Sequence, residues 1–418
     1  MPNRPRWRHV VAALAFCLSS VFSSSIHGQT PGEEGPDAEA VERLRALGYI
    51  DFPRETPSVR GKSGLQLLRI RRAAPGYTLI TSLPEARALL VDIKGQAVKS
   101  WHDPRSATWT RAELQENGDL LVLGVWKEES GSQRKPRRVP NYMARYDWHG
   151  RLLWQTQGTF HHDLDVDPNG TIYSLGLAKR TIDDTLHIQD HTIVVLSAQG
   201  ERQRKLSLFD LLSSDPARFR LPRTTHHPHG RTAAGRVDLI HANAITLMPF
   251  PSLIERGELY DPANVLVTVR HQDLIAIVNL ETEQLLWVWG PGEVQFPHEA
   301  TWLENGNVLL FDNGSETRGF SRIVEVDPTT DEVVWTFTAK DPKTFYSDGR
   351  GTVHALPNGN VLVASSNQGK IFEVTREGEV VWRYLHRDDN GELTAIRAQR
   401  YPPSMIEPLL DLPPRSTP

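Results

Sequence analysis

Three histidines and one arginine of this 418-residue chain have residue types and spacing suited to binding and transferring an anionic group. His162, His241 and His298 each lie four residues before an apolar residue of a predicted strand, and Arg270 ends the strand-like segment VTVR. Imidazoles serve as acids, bases or nucleophiles, and a guanidinium offers paired donors to sulfate or phosphate oxygens. The shared offset predicts that these four side chains meet in one pocket suited to an anionic ester.

Two asparagines near this set are further candidates for contacts with the ester. Asn243 lies two residues after His241 on the same predicted strand face, and Asn313 aligns with Arg270 in the corresponding strand of the next repeat. Both could donate hydrogen bonds to ester oxygens. Strand alternation predicts the opposite direction, away from the pocket, for three neighbouring histidines: His161, His271 and His354.

Several other kinds of catalytic site do not fit the sequence. Asp163 and Glu299 directly follow their histidines and should face away from them, so they do not form the carboxylate pair of a glycosidase. The segment THHPHG (225–230) could bind a metal, but no carboxylate is spaced to complete the site, and a polar loop is the simpler interpretation. We therefore predict no metal site and no cofactor, and the nucleophile, if there is one, is a histidine.

A two-part repeat beginning near residue 64 predicts the elements that position these residues. One part is an apolar strand after a turn, as in NGNVLLFDN (305–313), and the other is a strand, turn and strand that commonly ends in Trp, as in IVEVDPTTDEVVW (323–335). Six copies of each part predict an all-β fold, a six-bladed β-propeller over residues 64–400, with the Trp residues packed between blades. The three histidines fall in the first strands of blades three, four and five. The long irregular stretch 209–237 lies between blades three and four and is expected to be a functional loop.

The first 29 residues have the layout of a secretory signal peptide. Three arginines precede an apolar run over residues 10–22, and small residues follow it. The run is short for a membrane span, so an uncleaved anchor is the less favoured alternative. Residues 30–63 then form a linker with a short helix, and 401–418 form a C-terminal tail. We expect a periplasmic or secreted protein with no membrane span after cleavage.

Composition limits the classes of partner and of chemistry. The net charge of −4 gives no basic surface for nucleic acid, so no nucleic-acid partner is expected. Cys17 is the only cysteine, so cleavage of the signal peptide would leave neither disulfides nor thiol chemistry. The sequence does not determine the oligomeric state.

At these residues the chain resembles the bacterial arylsulfate sulfotransferase family. The resemblance is carried by HANAITLMP, VTVRHQ and FPHEATWLENGNVLLFDNG, with HHDLDVDPNG upstream. It implies a six-bladed propeller that moves a sulfuryl group from an aryl sulfate donor to a phenolic acceptor without a nucleotide sulfate donor. By motif, His298 corresponds to the sulfurylated histidine, while His241 and Arg270 hold the ester oxygens. His162 corresponds to the histidine of the earlier blade.

Two features separate this sequence from the well-known enzymes of that family. They carry an N-terminal β-sandwich and a disulfide, whereas here a mostly polar stretch precedes the repeats and the mature chain would have no cysteine. The alternative functions are a non-catalytic secreted propeller that binds a ligand or protein across the channel mouth, and a quinoprotein-like propeller.

Overall fold

The computed structural model describes residues 62–83, 85–127, 141–224, 230–232, 235–314, 317–388, 391–394 and 396–413. The predicted signal peptide and the linker as far as residue 61 lie outside these residues. Three histidines considered as metal ligands also lie outside them: His226, His227 and His229. No helix within the described part of the chain combines the length and apolar character needed to cross a membrane.

Nearly all regular structure in the described residues is β-strand. In chain order the strands are β1 (Gly64–Leu68), β2 (Tyr77–Ser82), β3 (Arg87–Val91), β4 (Ala97–His102), β5 (Ser106–Leu114), β6 (Leu120–Trp126), β7 (Asn141–Tyr146), β8 (Leu152–Gly158), β9 (Phe160–Val166), β10 (Ile172–Ile182), β11 (Leu186–Leu196), β12 (Arg202–Ser207), β13 (Ala242–Leu247), β14 (Asn264–Val269), β15 (Leu274–Asn279), β16 (Gln284–Trp289), β17 (His298–Trp302), β18 (Val308–Asp312), β19 (Arg322–Asp327), β20 (Glu332–Phe337), β21 (Thr352–Ala355), β22 (Val361–Ser365), β23 (Lys370–Val374), β24 (Val380–Leu385) and β25 (Ile396–Tyr401). The α-helices are α1 (Leu208–Ser213) and α2 (Pro403–Leu410), and short 3-10 helices occur at Pro251–Arg256, Glu258–Tyr260, Arg270–Gln272, Pro342–Thr344 and Ser366–Gln368.

The strands form six antiparallel sheets, which are the blades of a propeller. From the innermost strand outward, blade 1 contains β25, β2, β3 and β4, and blades 2 to 5 contain β5 to β8, β9 to β12, β13 to β16 and β17 to β20. Blade 6 contains β21 to β24 and then β1 as a fifth, outermost strand. The predicted all-β, six-bladed propeller is therefore confirmed.

Strands from the two ends of the propeller sequence close the ring. β25 pairs antiparallel with β2, from Ile396 opposite Ser82 to Tyr401 opposite Tyr77, and so becomes the innermost strand of blade 1. At the other end, β1 pairs with β24 on the outer edge of blade 6. Blade 1 thus combines strands from both ends of the propeller sequence, which joins the last blade to the first.

Each contact between neighbouring blades has its own apolar cluster among the described residues. β14 illustrates why: Val265 and Val267 pack toward blade 3, while Leu266 between them packs toward blade 5. Because side chains alternate along a strand and both faces of a blade are covered, central strands are apolar throughout. The predicted packing of the closing tryptophans between blades is confirmed for five of them: Trp101, Trp154, Trp287, Trp335 and Trp382.

The stretch 209–237 is more regular at its start than the sequence analysis predicts. α1 begins after Ser207, whose side chain accepts a hydrogen bond from the backbone N–H of Asp210. Leu208, Leu211 and Leu212 are buried, at the spacing of one helical face. The helix signal was therefore present in the sequence as a capping serine followed by leucines three and four residues apart.

Candidate active site

The predicted site residues lie where innermost strands begin, at one mouth of the central channel. His162 lies in β9, His241 directly precedes β13, and His298 is the first residue of β17. Arg270 directly follows β14, and its backbone N–H donates to the carbonyl of His241 over 3.2 Å. The innermost strands occupy equivalent places in their blades, so these positions converge, and all four side chains are buried.

Irregular backbone turns the histidines into the pocket. His162 and His241 have φ of 59° and 44°, in the left-handed region, and strand pairing is interrupted beside both. A left-handed residue breaks the side-to-side alternation of a strand. The ring centroids of His161 and His162 are consequently only 3.8 Å apart. The predicted opposite direction of His161 is wrong for this reason, and its ring belongs to the same cluster.

The other two histidines predicted to point away have different positions. The His271 ring stacks on the His241 ring with centroids 4.4 Å apart, because a 3-10 turn replaces extended strand at this point. The prediction for His271 is therefore also wrong. His354 lies in β21, where its Nδ1 accepts a hydrogen bond from the backbone N–H of Arg400 over 3.0 Å.

Hydrogen bonds fix both the orientation and the tautomer of His298. Its Nδ1 lies 2.8 Å from Oδ1 of Asn313 and 2.9 Å from the carbonyl oxygen of Phe296. Both partners only accept, so Nδ1 carries the hydrogen. Burial lowers the pKa of His298 well below its usual range, and the positive charge of Arg270 acts in the same direction. The ring is therefore neutral at pH 7, with its lone pair on Nε2.

The asparagines predicted to bind substrate have different contacts. The Nδ2 group of Asn313 donates to the carbonyl oxygens of Ser347 and Arg350, which aims Oδ1 at His298. Both N–H groups of the amide and its oxygen thus have partners within the protein. We therefore assign Asn313 to positioning His298 instead of to the ester. Nδ2 of Asn243 donates to the carbonyl of Pro297 over 2.9 Å. Its contact with substrate stays a prediction.

His162, His241 and Arg270 form the rest of the predicted set. Nε2 of His162 and Nε2 of His241 are 3.2 Å apart. The Arg270 guanidinium lies over the Phe296 ring at 5.5 Å, and its charge lowers the pKa values of both His241 and His298. Burial is the larger cause of the lowered pKa in each histidine. The pocket thus combines neutral imidazoles with a buried cation.

Asp238 is the main residue of the pocket that the sequence analysis missed. Its carboxylate lies 2.7 Å from Nδ1 of His241 and 3.2 Å from Nε2 of His191, and its carbonyl oxygen lies 2.7 Å from Nδ1 of His271. Burial alone would raise the pKa of Asp238, but the three histidines hold it well below its usual range. The only signal in the sequence was an acid three residues before His241.

A layer of ion pairs lies next to the histidines in the channel. Arg111 of β5 contacts Asp163 and Glu299, each over 3.2 Å, and Arg397 of β25 contacts the same two carboxylates over 3.4 and 2.8 Å. Each carboxylate directly follows a site histidine in the sequence. The sequence predicts that both acids face away from the histidines. In the structure both pair with arginines from blades 1 and 2.

One group among the described residues has the donor types and proximity to hold a metal ion. His191, Asp238 and His241 each offer one ligand atom, and these atoms lie within 4.8 Å of one another. Two imidazoles and a carboxylate would suit zinc. The same contacts are also ordinary hydrogen bonds between a carboxylate and two N–H donors, which suffice to stabilise the buried charge.

Comparison with known proteins identifies a family match. Residues 143–387 match the family model described as arylsulfotransferase (ASST), a range that contains every predicted site residue. No curated protein matches the chain. Among solved structures, a protein of unknown function from Bacteroides caccae aligns with 14% identity and a TM-score of 0.46, covering 78% of this chain and 99% of its own.

Two further structures align with similar scores. In the nidogen/laminin complex, the aligned chain has 11% identity and a TM-score of 0.45, with 77% of this chain and 97% of that chain covered. The virginiamycin B lyase from Staphylococcus aureus has 12% identity and a TM-score of 0.44, with 81% and 96% covered.

Proposed function

This chain belongs to the arylsulfotransferase (ASST) family, and from that premise we propose that it transfers a sulfuryl group from an aryl sulfate ester to a phenolic acceptor. The transfer uses no nucleotide sulfate donor and passes through a sulfurylated His298. The observation that carries this proposal is the state of that histidine. Its two Nδ1 acceptors leave the Nε2 lone pair as the reactive site of a neutral, buried ring beside Arg270.

The first half-reaction moves the sulfuryl group to the protein. Nε2 of His298 attacks sulfur, an N–S bond forms, and the bond between sulfur and the aryl oxygen breaks. The anionic ester favours the charged form of His162, which takes up a proton from water as the donor binds. His162 then gives this proton to the departing oxygen, so the product leaves as a neutral phenol. Arg270 and His241 contact the sulfuryl oxygens, and a cation in a buried pocket stabilises their charge more than water would.

The second half-reaction reverses these roles with a new phenol. His162 takes the proton of the acceptor hydroxyl, whose oxygen attacks sulfur and displaces His298. The electron pair of the N–S bond returns to Nε2. Because Nδ1–H is held by Asn313 and Phe296 throughout, the ring returns to the tautomer with which it began.

Replacing the nucleophile tests this proposal most directly. His298→Asn should lower release of phenol from 4-nitrophenyl sulfate by at least about 10³-fold, since a residue that forms the covalent bond cannot be replaced by groups that only hold charge. Wild-type protein given donor without acceptor should gain the mass of one sulfuryl group on the peptide that contains His298.

The matched control is His102→Asn, which alters an exposed histidine at the end of β4 and should leave turnover unchanged. A wild-type protein that turns over the donor while that peptide stays unmodified, together with an active His298→Asn variant, would replace the covalent mechanism with direct transfer. Absence of turnover on any aryl sulfate would favour a non-catalytic binding propeller.

We also propose that the protein is exported and acts in the periplasm or outside the cell. The support is the sequence of residues 1–29, with arginines, an apolar run and small residues in that order. Intact-mass measurement of protein recovered from the periplasm or medium tests this. Mature protein that still begins at Met1, or that remains in the cytoplasm, would contradict it.

A further inference from the structure

The innermost strands of blades 3 and 5 are irregular beside their histidines. The pairing of β9 with β10 is interrupted between residues 160 and 164, and that of β17 with β18 between residues 298 and 301. Each interruption contains a residue with a left-handed backbone, since His162 has φ of 59° and Glu299 has φ of 46°. Such a backbone is strained in a residue with a β-carbon and persists only where other contacts hold it. Both irregular segments therefore depend on the contacts around them.

One guanidinium contacts the irregular segments of both strands. Nη2 of Arg397 donates to the carbonyl oxygen of His162 over 3.3 Å. Its Nη1 lies 3.4 Å from Oδ1 of Asp163 and 2.8 Å from Oε2 of Glu299. The donors of a guanidinium lie in one plane at fixed angles. A single side chain thus sets the distance between the two segments.

Both segments also contact blade 4, which lies between them. The second oxygen of Asp163 accepts a hydrogen bond from the backbone N–H of Ile245 over 3.1 Å. The backbone N–H of Ala300 donates to the hydroxyl of Thr268 over 3.1 Å. The three blades that carry the histidines are therefore joined at this level, and Arg397 connects them to blade 1.

Arg111 offers a comparison, because it contacts the same two carboxylates. Its Nε and Nη1 lie 3.2 Å from the oxygens of Asp163 and Glu299, respectively. Among the described residues, its contacts do not include the carbonyl of His162. The two arginines therefore supply similar charge to the two acids, but of the two only Arg397 contacts the backbone of His162.

We infer that Arg397 is a positioning residue that holds His162 and His298 at the separation that sulfuryl transfer requires. This inference rests on the proposed function, in which His298 attacks sulfur while His162 serves the departing oxygen. The attacking and departing atoms lie on opposite sides of sulfur, so the two rings have to keep one separation. A displacement of about 1 Å in such an arrangement can lower the rate by about 10²-fold.

Arg397→Gln and Arg111→Gln form a matched pair that tests the inference. Each removes one cation from the same two carboxylates, so both should lower the urea midpoint by similar amounts. With 4-nitrophenyl sulfate, Arg397→Gln should lower kcat by about 10²-fold and change KM by less than about 3-fold, because Arg270 still contacts the sulfuryl oxygens. Arg111→Gln should lower kcat by less than about 5-fold. Equal losses of kcat in the two variants would overturn the inference.

Arg397→Lys separates positioning from charge. Lysine restores a cation near both carboxylates but lacks the planar donors of arginine, so the urea midpoint should recover more than kcat does. Full recovery of kcat together with the midpoint would mean that Arg397 acts through stability alone, which contradicts the inference. If Arg397→Gln does not fold, Arg397→Lys takes its place in the kinetic and structural measurements.

Crystal structures of the variants without substrate separate this inference from the proposed function. In Arg397→Gln, the backbone of His162 should leave the left-handed region, and the Nε2 atoms of His162 and His241, 3.2 Å apart in the wild type, should move beyond hydrogen-bond distance. Arg111→Gln should keep both features. An unchanged His162 in Arg397→Gln would overturn the inference even in an active enzyme. A displaced His162, in a protein whose wild type cleaves no aryl sulfate, would overturn the proposed function instead.

Discussion

Blades 3, 4 and 5 place different groups in the channel from blades 1 and 2, although their sheets are built alike. The innermost strands of the first group carry or directly follow His162, His241 and His298, whereas β25 and β5 carry Arg397 and Arg111. The apolar alternation of the central strands is the same in both groups, because it serves the contacts between blades. The comparison teaches that packing determines the blade, while the few residues at the channel determine its chemistry.

The two halves are joined by the residues that follow the histidines. Asp163 comes after His162, and Glu299 comes after His298, and both carboxylates contact the arginines of blades 1 and 2. These contacts lie one residue from the proposed acid and nucleophile. Replacing the arginines therefore tests how much these ion pairs contribute to stability without changing the histidines themselves.

Removing both arginines should have the largest effect on stability. Arg111→Gln combined with Arg397→Gln leaves the buried Asp163 and the half-buried Glu299 without these two cations, which costs about 3–5 kcal/mol. Either substitution alone should cost less than half of this, because the remaining arginine still contacts both carboxylates. Urea denaturation of the two single variants and the double variant measures the difference. Additive costs would mean that the arginines act independently.

Arg270 is a cation that lies among the histidines, so its replacement tests the chemistry of blades 3 to 5. Arg270→Ala should lower kcat/KM for aryl sulfates by about 10²–10³-fold, by analogy with the loss of a donor to a developing negative charge. Steady-state kinetics measure this loss, and the urea midpoint shows whether the fold is retained. Arg270→Lys should recover only part of the activity, because an ammonium lacks the planar pair of donors. Wild-type rates in Arg270→Ala would exclude it from the reaction.

The buried histidines of the channel and two acids beside them should respond to pH in opposite directions. Burial lowers the pKa values of five histidines in the channel: His162, His241, His271, His298 and His354. Unfolded histidines titrate near 6.5, so the unfolded chain takes up more protons as pH falls and stability is lost, by about 0.8 kcal/mol per histidine from pH 7.5 to 6.0. Burial raises the pKa values of Asp163 and Asp165, so their contribution to stability is present at lower pH and lost as pH rises.

Because the histidines outnumber these acids, we expect a net loss of about 2 kcal/mol between pH 7.5 and 6.0. Urea denaturation at the two pH values measures it. The double arginine variant should change the acid contribution and leave that of the histidines. A protein that gains stability as pH falls to 6.0 would mean that the buried histidines are charged in the folded state.

More of the fold than of the site could be predicted from the sequence. The repeat of turns, apolar strands and closing tryptophans predicted six blades because packing between blades imposes the same pattern each time. His162, His241 and His298 could be predicted together because each has the same position relative to the first strand of its blade. Asp238 and Arg397 follow no repeat, and their contacts with His191 and Glu299 join segments far apart in sequence. The direction of His161 depended on a left-handed backbone at His162, which no residue type in that segment indicated.

The position of β25 gives the protein an order of assembly as well as a closed ring. This strand comes after every other strand of the propeller in the sequence, and Arg397 on it reaches Asp163, Glu299 and the carbonyl of His162. During synthesis β25 emerges after the histidine blades, and until it arrives Arg111 is present without Arg397 beside Asp163 and Glu299. A chain cut short before β25 therefore lacks both ring closure and a full set of charges around the pocket. The site is therefore complete only after the last strand of the propeller has been added.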